Sequence, residues 1–108
     1  MKIILKTGKP RFDQLGDWPT YDEIIVAEQN NWRSEFLIAL HELVEAQICK
    51  ARGISPEMVD TFDANWNNSG EPGDSPQSPY FIAHQVAMIV ERLVGRFLDT
   101  GLEKWEIE

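Results

Sequence analysis

Residues 36–52 read Phe-Leu-Ile-Ala-Leu-His-Glu-Leu-Val-Glu-Ala-Gln-Ile-Cys-Lys-Ala-Arg, and the reading of this stretch decides the fold. Wound as an α-helix, it is apolar on almost every side, and a helix apolar all round is a buried one. Yet its middle carries one imidazole, His41, and two carboxylates, Glu42 and Glu45. His41 and Glu45 are four residues apart, so they share a face and can grip one ion. Glu42 is turned about 100° from His41 and can face a bound water. A buried polar group needs a partner, and a buried charge needs a counter-charge or a metal. The stretch therefore predicts a central helix that carries a metal site.

Upstream, Asn30 or Asn31 can cap this helix. Ile3, Ile4 and Leu5 form a β-like run that Gly8-Lys9-Pro10 breaks. Arg11 to Thr20 reads as irregular, with Phe12, Leu15 and Trp18 tucked into the core. Ile24-Ile25-Val26 is a β-branched run that reads as a strand able to pair with the first. Two strands alone are marginal and need a helix packed on them.

Downstream, Gly53 is the expected left-handed stop. Ser55-Pro56 opens a second helix, Ser as cap and Pro in the first turn. Met58, Val59, Phe62 and Trp66 make its inner face. Asn67 to Ser78 is a loop, of a length that is often functional. Ser78-Pro79 repeats the cap signal, and the third helix follows. It places Ile82, Val86, Ile89, Val90, Leu93, Val94 and Phe97 on the core side, ends at Asp99 and is stopped by Gly101. The predicted fold is α+β and mostly helical. Short N-terminal β-hairpin-like strands pack on three helices, about 31–52, 56–66 and 79–99, in a single domain over 1–108.

The formal charge of −8 argues against nucleic-acid binding, which rewards basic patches. No apolar run approaches the roughly 20 residues that span a bilayer, and the start of the chain is too short for a signal peptide. Cys49 is the single cysteine, which excludes an internal disulfide and a cysteine-based zinc site. These features predict a cytoplasmic protein. The surplus of apolar residues for so short a chain permits a homodimer.

Zinc sites in hydrolases take three protein ligands and leave one position for water. His84, the only other histidine, is the natural third ligand beside His41 and Glu45. Glu42 is then free to act as general base. Tyr80, one turn before His84, can donate to a reacting oxyanion. Asp63 can orient a ligating imidazole or serve as a fourth ligand. The alternative is two ordinary core histidines, with Glu42 and Glu45 solvated near Lys50 or Arg52, Asp60 and Asp63 on a solvated helix face, and Glu91 paired with a basic neighbour.

His41-Glu42-Leu43-Val44-Glu45 after an apolar turn resembles the active-site helix of zincin-type metalloproteins. The resemblance covers about twenty residues and departs where that family has a second His and this chain has Glu45. It implies zinc, or another divalent cation, and a metal-dependent hydrolase or peptidase acting on a small molecule or peptide. With Glu71-Pro72-Gly73-Asp74, Pro79-Tyr80 and His84, the chain also resembles small proteins of bacteria and their phages, which suggests a non-enzymatic interaction domain as a further reading. Glu42-x-x-Glu45 followed by Asp60-x-x-Asp63 is similar to the all-α nucleotide pyrophosphohydrolases, and implies magnesium held by those four carboxylates.

Overall fold

A computed structural model describes residues 1–98. The expected end of the third helix at Asp99 and its stop at Gly101 lie outside those residues. The elements run β1 (Ile4–Thr7), β2 (Gly16–Thr20), β3 (Glu23–Val26), α1 (Trp32–Ala51), α2 (Pro56–Ala64) and α3 (Phe81–Leu98), with a 3₁₀ turn at Pro72–Asp74 before α3. The fold is α+β and mostly helical, as the sequence predicts.

The sheet differs from a hairpin of the two β-like runs. Its order is β1-β3-β2, with β1 parallel to the central β3 and β2 antiparallel to it. The hairpin is β2–β3, built from the segment read as irregular. Pro19 hid that strand, because proline cannot donate to a ladder; β2 is an edge strand, where proline is tolerated. Asp17 and Trp18 are buried on it, and Leu15, expected in the core, is 58% exposed.

The caps follow from local chemistry. Asn31 accepts from the Arg33 amide at the start of α1, and Ser55 accepts from the Met58 amide at the start of α2. Gly53 has φ 72°, the left-handed conformation that lets the chain turn out of α1. Buried Ile24, Val26, Leu37, Ala46 and Cys49 form the centre of the core. Each large aliphatic among them contributes about 1.5–3 kcal/mol by leaving water. Helix α1 lies between α3 and strands β2 and β3.

Helix α3 turns a different face inward from the one its large apolar residues suggest. Ala83, His84, Ala87 and Gly95 are buried, whereas Ile82, Val86, Ile89, Leu93 and Phe97 are exposed. Small side chains let two helices approach closely, and the His41 and His84 rings stand only 4.9 Å apart, edge to face. On α2, Val59 is buried and Phe62 packs on the core, but Met58 faces out.

Candidate metal centre

Helix α1 brings His41 and Glu45 to its α3 side, and α3 brings His84 to meet them. His41 Nε2 lies 3.3 Å from Glu45 Oε2, and His84 Nδ1 lies 2.8 Å from the same oxygen. All three residues are buried. Their ligand atoms lie within 4.8 Å of one another. Four-coordinate zinc with bonds of about 2.0–2.1 Å sets its donors about 3.3 Å apart. The His41–Glu45 pair already has that spacing. The His84–Glu45 pair, now at hydrogen-bond distance, would open by about 0.5 Å to admit the ion. Two imidazole nitrogens and one carboxylate oxygen suit zinc, so the residues present fit the ion.

The far sides of His41 and Glu45 are also held. His41 Nδ1 is 2.7 Å from Glu91 Oε1, and the Trp18 indole N–H donates to Glu45 Oε1 at 2.9 Å. A carboxylate behind a ligating imidazole fixes its tautomer and orientation. Glu91 therefore meets His41 across the helix pair instead of a basic neighbour. Glu42 Oε2 stands 4.0 Å from His41 Nε2. Its side chain forms part of the wall of a cavity of about 300 Å³ shared with His41, Glu71, Glu91, Gln14 and Arg92. Gly16 lets β2 pass over it: a Cβ there would come within 2.6 Å of Glu42 Cγ.

Burial and the charge of Glu45 push the Glu42 carboxyl well above its usual range. Glu45 itself is lowered to about 2: burial opposes this, but the His41, His84 and Trp18 donors outweigh it. Burial would lower His41, yet Glu45, Glu91 and Glu42 raise it to about 10. His84 is raised as well, burial again being outweighed by Glu45.

Tyr80 and Asp63 sit elsewhere than expected. The Tyr80 hydroxyl donates to Asp63 Oδ1 at 2.6 Å, so neither group is directed at the imidazole nitrogens. Tyr80 instead sets its ring perpendicular to that of His84, 6.2 Å away. Burial raises Asp63 to about 6 even with that bond. Asp60 accepts from Arg11 at 2.9 and 3.1 Å, and Arg11 also grips Asp17.

Sequence reasoning missed Trp18, Glu71 and Asp74. Glu71 and Asp74 approach the other nitrogen of His84: Asp74 Oδ1 is 3.1 Å and Glu71 Oε2 3.8 Å from Nε2. Two carboxylates flanking Pro-Gly in a long loop were the available signal. Trp18 gave none, because an indole N–H has no sequence periodicity to betray its partner. No family model, curated protein or solved structure matches this chain. Among the described residues, no helix is long and apolar enough to cross a membrane.

Proposed function

We propose that this protein binds a divalent cation, zinc by its donor set, through His41 Nε2, Glu45 Oε2 and His84 Nδ1, and that it is a metal-dependent hydrolase. The observation that carries the reading is the convergence of three buried donors, with the outer sides of His41 and Glu45 already held by Glu91 and Trp18. A zinc ion bound there supplies Lewis-acid activation of water. Glu42 is the proton acceptor: it lines the cavity beside His41, and a nearby cation would draw its raised pKa back down. The cavity has room for a small molecule or a peptide side chain.

The magnesium reading draws on one observation. Glu42, Glu45, Asp60 and Asp63 all line a second cavity of about 20 Å³. Asp60 is held by Arg11, Asp63 by Tyr80, and Glu45 by Trp18 and His84, which favours the zinc reading.

Metal analysis of the purified chain tests the proposal. Zinc is expected near one equivalent, and His41→Ala and Glu45→Ala are each expected to empty the site between His41, Glu45 and His84. Glu42→Gln is expected to keep the metal and lose hydrolysis. A chain that takes up no zinc at micromolar concentration refutes the reading.

A further inference from the structure

We infer that the loop before α3 builds a second divalent-cation site on the opposite edge of His84, with Nε2, Asp74 Oδ1 and Glu71 Oε2 as its ligands. His84 is 3% exposed, and its Nε2 is a buried nitrogen without a hydrogen-bond partner. Leaving such a nitrogen unpaired is costly, so it marks a place where something binds.

The distances say what kind of thing. Asp74 Oδ1 is 3.1 Å from Nε2, close enough for a hydrogen bond, yet none forms. The oxygen lies beside the nitrogen's axis instead of on it. That is how two ligands of one ion stand: bonds of about 2.0–2.2 Å place neighbouring donors about 2.9–3.5 Å apart, each off the other's axis. Glu71 Oε2, at 3.8 Å on a side chain 63% exposed, has only to swing in.

The loop is shaped to hold this arrangement. Pro72 opens the 3₁₀ turn, and the Asp74 and Ser75 amides donate to Glu71 and Pro72 carbonyls at 3.1 Å. Gly73 is pressed on the imidazole: a Cβ there would meet His84 Cγ at 2.7 Å. The inner edge completes the logic. His84 Nδ1 is bonded to Glu45 Oε2 at 2.8 Å, the carboxylate–imidazole pairing that supports a metal on Nε2. A neutral imidazole has one unprotonated nitrogen. His84 therefore serves the outer cation through Nε2 or the inner one through Nδ1, and the two compete for it. The outer site, with two carboxylates, suits manganese or magnesium as well as zinc.

The chain has two histidines, so proton–nitrogen correlation spectra resolve every ring nitrogen. In His41→Gln, which lacks the inner site, added zinc is expected on His84 Nε2 while Nδ1 keeps its proton. Glu71→Gln with Asp74→Asn on that background is expected to weaken zinc binding at least about tenfold. Zinc on Nδ1, no zinc at His84, or unchanged affinity overturns the inference. Should His41→Gln fail to fold, manganese added to the unsubstituted chain decides. It is expected to broaden the Glu71 and Asp74 amides before that of His41, and to stop doing so in the double variant. Broadening that starts at His41, or that survives the double substitution, overturns the site. Loss of the inner site alone would show separately, as a His41 Nε2 untouched by zinc in the unsubstituted chain.

Discussion

Glu45 is the residue on which the polar centre turns. One oxygen takes the Trp18 indole N–H and the other lies against both histidines. Trp18→Phe keeps an aromatic ring in place and removes the donor together with part of the indole. It leaves Glu45 Oε1 buried without that bond, and is expected to cost about 1–3 kcal/mol in denaturant unfolding. A loss below a few tenths would mean that water replaces the indole. At this scale the sequence was half legible. A helical spacing of four placed His41 and Glu45 together, since local geometry is enough for that. The partners Trp18, Glu91, Glu71 and Asp74 come from other elements, and only tertiary packing brings them in.

At the scale of elements, α3 is the instructive one. Its large aliphatics at 82, 86, 89 and 93 announce an inner face, yet they are 36–55% exposed. The buried face is the small one. Amphipathic patterning assumes that bulk marks the core; here the need to bring two imidazoles together reverses the rule, because only Ala83, Ala87 and Gly95 let the backbones close up. Ala87→Leu is expected to overpack this seam and cost about 1–3 kcal/mol. Ile89→Thr is expected to stay within about 0.5 kcal/mol, as exposed positions do. Thermal melts of the two variants side by side check the orientation of the helix, and reversed effects would show that the bulky face is covered. The helices and their caps were readable from Asn31, Ser55 and Gly53. Strand β2 was not, since Pro19 argues locally against a strand that the sheet edge permits.

Across the whole molecule, the buried charges set how stability follows pH. His41, raised from 6.5 to about 10, stabilises the fold fully below about pH 6.5, and that contribution is lost as pH rises through about 10. Glu45, lowered from 4.5 to about 2, contributes above about pH 4.5 and loses its effect as pH falls through about 2. Glu42, raised from 4.5, binds its proton more tightly when folded, so its effect weakens the fold as pH climbs above 4.5. Without added cation, the melting temperature is therefore expected to peak near about pH 4.5 and to fall as pH rises above it. Saturating zinc should move that peak upward, because binding must displace the His41 proton. Melts followed by circular dichroism as a function of pH, with and without zinc, check both statements. A cation-free maximum above pH 8 would show that the imidazole is neutral in the fold.

Cys49 is fully buried on the ligand-bearing helix, and burial lifts its thiol to about 12. A protonated sulfur shut inside the core reacts with nothing while the chain is closed. Its rate of alkylation is thus a clock for how often α1 comes away from the sheet. The same clock should slow when an ion ties α1 to α3, which makes the single native thiol a gauge of occupancy that needs no substrate.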